Sequence, residues 1–203
     1  MLEIAFTLLG TPVSWLEVAA FALALANIVL NVREIHWAWP LAFIASLLYA
    51  WLFQASRLYG EMGVNLFFAA TALWGWWQWL HGRRSGAAAA APGPLRITRL
   101  SAAQRRHAAL AWLLAWALVA LLLDRATDSD VPAADAFVTA GSVIGTVLLA
   151  RKFIENWWVW LIVNAASVAL FLYKALWLTA ILYAIFFALA LWGLARWRQQ
   201  AAG

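Results

Sequence analysis

Seven apolar runs follow one another along this chain, at about 13–31, 36–56, 59–81, 108–123, 134–150, 156–174 and 176–195. Each approaches the roughly 20 residues that a helix needs to cross about 30 Å of hydrocarbon at about 1.5 Å per residue. The fourth and fifth are the shortest. Composition removes the water-soluble alternative: of 203 residues, 67% are hydrophobic and only 11% charged, too few to coat so much apolar surface. The alternating segments of about ten residues that mark a transmembrane barrel are absent. The reading is an all-α integral membrane protein with seven transmembrane helices. MLEIAFTLLGTP carries no basic n-region, so no cleavable signal peptide is expected, and the lack of Cys excludes disulfide and thiol chemistry.

The connectors are tight except for GRRSGAAAAAPGPLRITRLSAAQRRH, residues 82–107, a Pro/Gly-punctuated, low-complexity linker with six arginines. If that linker is cytoplasmic, alternate placement puts eleven Lys and Arg inside and three (Arg57, Arg125, Lys174) outside. The positive-inside rule then places the N-terminus outside and the C-terminus in the cytoplasm. The net charge of +5 is therefore read as membrane orientation, not as nucleic-acid binding. The expected organisation is a first three-helix repeat (1–81), the basic linker (82–107), a connecting helix with its outer loop (108–133) and a second three-helix repeat (134–203).

The repeat is read from two matches. VREIHWAW (32–39) resembles ARKFIENWWVW (150–160), and NLFFAATALWGWWQW (65–79) resembles AIFFALALWGLARW (184–197), each displaced by about 118 to 121 residues. Three helices repeated after one connecting helix place both copies in the same membrane orientation, a parallel repeat of the kind found in transporters.

Polar residues inside spans are the candidates for function. Trp157, Trp160, Asn164, Ser167 and Phe171 recur at steps of three or four and so share one face of the sixth helix. Glu61, Asn65, Phe68, Gly75 and Trp79 form a comparable stripe on the third; Glu17, Asn27 and Asn31 lie on the first, Tyr183 on the seventh. An ionisable residue in a span costs about 2.5–3.5 kcal/mol on insertion scales, so Glu61 and Glu17 require a wet or paired setting. An asparagine is equally well explained as interhelical glue, worth about 0.6 kcal/mol on average. Glue accounts less well for stripes of Trp, Asn, Ser and Phe. Flat rings with amide hydrogen bonds suit a planar, hydrogen-bonding, cationic heteroaromatic ligand. Trp37, Trp39, Trp76, Trp158 and Trp177 are assigned to the interfacial belts.

Other chemistry is not visible. GSVIG (141–145) is a GxxxG helix-packing motif, with no Lys following to make a phosphate loop. His36, His81 and His107 sit at helix ends with no nucleophile, metal-ligand set or ATP site around them, so neither an enzyme nor a bound cofactor is expected.

SWLEVAAF (14–21), LYGEMGVNLFF…LWGWWQW (58–79) and residues 135–183 together resemble the PnuC family of bacterial vitamin transporters. The most specific part is RKxxENWxxWxxxNxxS, met by Arg151, Lys152, Glu155, Asn156, Trp157, Trp160, Asn164 and Ser167. The resemblance implies a 3+1+3 fold related to SWEET sugar transporters, a homotrimer in the bacterial inner membrane, and facilitated diffusion of nicotinamide riboside trapped by cytoplasmic phosphorylation. It implies substrate contacts by Trp157, Trp160, Asn164, Asn65, Phe68 and Tyr183; Glu61 and Ser167 join them from the stripes. Asn65 and Thr146 depart from the Gln common in the family at or near those positions. Relatives with the same fold are associated with thiamine, riboflavin or deoxynucleosides; thiamine is the nearest rival substrate, and a receptor that binds without transporting is the reading from another class.

Overall fold

The computed structural model describes residues 4–8, 10–55, 59–81, 95–126, 131–173 and 177–201. Seven helices appear among them, in two compact units, residues 1–96 and 97–203. The first unit holds α1 (Trp15–Val32), α2 (Ala38–Ala55) and α3 (Tyr59–His81); the second holds α4 (Ala102–Ala126), α5 (Pro132–Ala150), α6 (Glu155–Tyr173) and α7 (Trp177–Gln200). Among the described residues, four helices are long and apolar enough to cross a membrane, all in the second unit: α4, α5, α6 and Ala180–Gln200 of α7. In the first unit, Phe21–Val32 and Ala38–Leu48 are shorter apolar stretches.

A hairpin precedes α1, ahead of the first apolar run. Strands β1 (Ile4–Leu8) and β2 (Thr11–Ser14) pair antiparallel with Leu8 opposite Thr11, so two residues connect them. Such a connection needs positive φ, and Gly10, at +84°, provides it without a Cβ penalty.

The two units share a way of turning a corner. After α1, the Glu34 N–H reaches Asn31 O and the Ile35 N–H reaches Leu30 O, closing a Schellman motif with Glu34 left-handed at φ 57°. After α5 the same bonds recur: Lys152 N–H to Leu149 O and Phe153 N–H to Leu148 O, with Lys152 at φ 51°. Each residue stands 118 positions after its counterpart. A left-handed non-glycine is unfavourable by roughly 1–2 kcal/mol, so the same exception at both corners is a specific structural match.

Packing repeats with the same offset. Trp39 of α2 lies on Gly75 of α3, its ring occupying the space a Cβ would need, and meets the edge of Trp79 at 5.7 Å. Trp157 of α6 lies on Gly193 of α7, where a Cβ would approach the ring to 2.6 Å, and meets the edge of Trp197 at 5.4 Å. Trp39 is thus a core residue, 4% exposed, and not an interfacial one. The missing side chain at Gly75 is the reason: it lets the indole sink between helices. Trp37, Trp158 and Trp177 are exposed, as a belt requires, while Trp76 donates to His36 Nδ1 at 3.3 Å.

Helix α4 starts six residues before the expected span, inside the segment read as linker. Ser101 and Gln104 form a capping box: the Ser101 N–H donates to Gln104 Oε1 (2.9 Å) and the Gln104 N–H to Ser101 Oγ (3.2 Å). Just upstream, Thr98 pairs with the corner between α5 and α6, through Thr98 N–H to Lys152 O (3.1 Å) and Ile154 N–H to Thr98 O (3.0 Å). Helix α4 is held on α5 by indoles, Trp112 donating to Phe137 O and Trp116 to Ala133 O. No residue of α4 is buried, and Leu113, Leu114 and Leu118 stand exposed, as expected of a lipid-facing helix. Residues 82–94 of the linker lie outside the described residues.

Candidate functional site

The sixth helix carries four of the eight expected site residues: Trp157, Trp160, Asn164 and Ser167. Glu155 opens it, its carboxylate Oε2 accepting the Leu100 N–H at 3.0 Å, and Asn156 donates back to Phe153 O at 2.6 Å. These bonds fix the first turn, and the helical repeat then sets where every later side chain points. Four residues of the specific motif are buried along it: Asn156 (0% exposed), Trp157 (3%), Asn164 (3%) and Ser167 (0%).

Trp160 is half-buried, and Gly145 of α5 makes room for its indole: a Cβ there would lie 3.0 Å from the ring. Gly141, one turn earlier, receives Val163 and Trp112 in the same manner. The GxxxG motif therefore works as helix packing, as the sequence suggested, and its partners are side chains of α6 and α4. Asn164 follows Trp160 by four residues and Ser167 follows Asn164 by three, so the three lie along one stripe. Ser167 Oγ is buried and bonded to no described group, although a helical serine readily donates to the carbonyl four residues back. Farther along, Phe171 meets Tyr183 of α7 at 5.1 Å, and Tyr183 meets Phe186 at 5.5 Å. The second unit thus offers an indole, a buried amide, a buried hydroxyl and an aromatic cluster within α6 and α7.

Trp157, expected from the sequence to contact substrate, is engaged in packing. Its ring is spent on Gly193 and Trp197, as that of Trp39 is on Gly75 and Trp79, and in both tryptophans the buried Nε1–H has no described acceptor. The shared packing marks a structural pillar that both units need.

In the first unit, Asn65 and Phe68 lie on α3 half-buried, Phe68 meeting Phe67 at 6.0 Å. Glu61 and Glu17 lie within α3 and α1, with side chains outside the described residues. Asn27 and Asn31, read as a polar stripe on α1, act as connectors. Asn27 Nδ2 donates to Ala38 O at 2.7 Å, tying α1 to the start of α2, and Asn31 Nδ2 donates to Asn27 at 3.0–3.1 Å. Sequence reasoning passed over Gly193 and Trp197, although the Trp-to-Gly interval of 36 residues is the same in Trp39–Gly75 and Trp157–Gly193. No group of three or more potential metal ligands occurs among the described residues.

A bundle of membrane-length helices with a buried polar and aromatic stripe defines a polytopic membrane protein with the makings of a small-molecule site. Residues 14–199 match the family described as nicotinamide mononucleotide transporter, and the chain belongs to that family of vitamin transporters, in which PnuC is found. It is 29% identical over 194 residues to the riboflavin/roseoflavin transporter RibM of Streptomyces davaonensis, covering 95% of this chain and 89% of the relative. It is 24% identical over 220 residues to the nicotinamide riboside transporter PnuC of Escherichia coli, covering 95% and 88%. Among solved structures, the crystal structure of the vitamin B3 transporter PnuC superposes with a TM-score of 0.71 at 20% identity, covering 93% of this chain and 82% of that one.

Proposed function

We propose that this protein is a passive importer of a vitamin in which a planar nitrogen heteroaromatic ring is joined to a hydroxylated five-carbon group, ribosyl or ribityl, with nicotinamide riboside as the leading substrate. One observation carries the reading: Asn164 and Ser167 are held dry on α6, in line with Trp160, and Ser167 Oγ has no described partner. An unpaired buried polar group costs about 1–3 kcal/mol, an expense that a ligand's own hydroxyls or amide remove. Trp160 supplies a face on which a ring can stack, and the Phe171–Tyr183 pair extends the aromatic surface. Asn65, Phe68 and Glu61 carry the same expectation from α3, each decided by its own substitution in a flux assay.

The 3+1+3 reading of the helices is supported by the corners and Trp–Gly–Trp pillars recurring after 118 residues. The cytoplasmic placement of the linker and the C-terminus rests on the positive-inside bias, and protease access to a tag at residue 203 checks it. Net accumulation would come from phosphorylation by a separate cytoplasmic enzyme, because facilitated diffusion only equalises concentrations.

Riboflavin is the second reading, favoured by the greater identity to the riboflavin/roseoflavin transporter, 29% against 24%. Uptake into sealed proteoliposomes without added energy separates the readings. Flux of nicotinamide riboside alone supports the first, and flux of riboflavin alone moves the chain to the second. Flux of thiamine but of neither nicotinamide riboside nor riboflavin overturns both, and binding without flux makes the protein a receptor.

A further inference from the structure

Away from the α6 stripe, the second unit holds a cavity of about 460 Å³ where α4 and α6 begin and α7 ends. Leu100 and Ile154, both buried, line it together with Trp158, while Arg99, Arg105 and Arg198 supply the charge. Glu155 is the one acid of the lining, and its carboxylate already receives the Leu100 N–H at 3.0 Å. Arg198 rests over the Trp158 ring, its guanidinium carbon 5.2 Å from the centroid, which leaves the fork's N–H groups available at the ring's edge. The cluster is built, not incidental: the capping box at Ser101 and the Thr98 pairing fix the segment that carries Arg99 and Arg105.

Its height in the membrane follows from length. The 25 residues of α4, at about 1.5 Å each, exceed a hydrocarbon core of about 30 Å, and its apolar run begins only after Gln104, Arg105, Arg106 and His107, so the first turn with Arg105 belongs to the headgroup layer. Three guanidiniums against one engaged carboxylate, above an apolar floor and beside an exposed indole, match a phosphate ester with an apolar extension. Guanidinium forks bind phosphate oxygens bidentately, and basic recesses at helix ends hold anionic headgroups.

We propose that this cavity is a binding site for a phosphate-bearing anion at the membrane boundary, lipid headgroup or free phosphate, separate from the transported substrate. The test uses the full-length protein, delipidated in neutral detergent, with thermal unfolding and native mass spectrometry as readouts. Phosphatidylglycerol, phosphatidylcholine and inorganic phosphate are the probes. Phosphatidylglycerol is expected to raise the unfolding midpoint by several degrees, saturably, and to stay bound in the gas phase, while phosphatidylcholine does neither. In the doubly substituted Arg99→Gln/Arg198→Gln protein the half-saturating concentration should rise at least tenfold. Arg105→Gln alone, an exposed substitution on α4, should raise it several-fold if the double variant fails to fold. Arg125→Gln, the same charge change at the other end of α4, should leave it unaltered. A matching arginine-dependent response to inorganic phosphate assigns the site to free phosphate; a response to the lipid alone assigns it to the headgroup. Equal responses to the two lipids, or a wild-type response in both cavity variants, overturn the proposal.

Discussion

The two units use the same scaffold and different chemistry. The left-handed corner, the buried Trp, the Gly beneath it and the Trp at its edge recur after 118 residues, as Glu34, Trp39, Gly75 and Trp79 and then as Lys152, Trp157, Gly193 and Trp197. At other positions with that offset the units diverge. Where the first has Asn27 and Ala42, the second has Gly145 and Trp160; where the first has Ser46 and Asn65, the second has Asn164 and Tyr183. Removing the Asn27 side chain and enlarging Ala42 exchanges an α1–α2 connector for an indole seated on a glycine. What both units keep is what folding needs, and what only one has is where a substrate site is to be sought.

The largest expected effect falls on the shared pillar. Gly75→Ala and Gly193→Ala each drive a methyl into a fixed indole, an overpacking that costs about 1–3 kcal/mol. Both should lower the unfolding midpoint by several degrees in detergent, and to a similar extent. A loss in one unit without the other would break the comparison.

Next come the positions that differ. Trp160→Ala and Asn164→Ala should each weaken binding about tenfold or more, the equivalent of about 1.4 kcal/mol. The first-unit counterpart Ser46→Ala should leave it within about twofold. Gly145→Ala brings a methyl to 3.0 Å from the Trp160 ring, a contact that a shift of a few tenths of an ångström relieves. A several-fold rise in the substrate's half-saturating concentration is expected, with the unfolding midpoint nearly unchanged. The smallest effect belongs to Asn27→Ala, which removes the Asn27–Ala38 bond; interhelical hydrogen bonds average about 0.6 kcal/mol, so a shift of a few degrees or less is expected, with transport intact.

Much of this architecture was legible in the sequence, because a membrane helix is specified by an apolar run of fixed length. Spans read at 134–150 and 156–174 appear as Pro132–Ala150 and Glu155–Tyr173, both of membrane length, and the run at 59–81 appears as the helix Tyr59–His81. Helix α4 began earlier than its apolar run because QRRH forms a solvated first turn; Ser101 and Gln104 were the cue, at capping-box spacing. The hairpin was missed because its short apolar strands do not stand out in so hydrophobic a chain, and Gly10 was its only turn signal. Trp39 was assigned to the interface because abundant Trp suggests a belt, whereas its burial is decided by a glycine 36 residues away. For the site, periodicity found the α6 stripe and its burial, but it does not distinguish Trp157, whose ring packs on Gly193, from Trp160, which rests on the divergent Gly145. That distinction arises from tertiary packing between helices, which local spacing does not encode.

The most direct measurement is equilibrium binding of nicotinamide riboside and of riboflavin to purified wild type, Asn164→Ala and Ser46→Ala protein, side by side. The account predicts saturable binding of at least one vitamin by wild type and Ser46→Ala, weakened tenfold or more in Asn164→Ala. Wild-type affinity in Asn164→Ala, or an equal loss in Ser46→Ala, would contradict a substrate site on the α6 stripe.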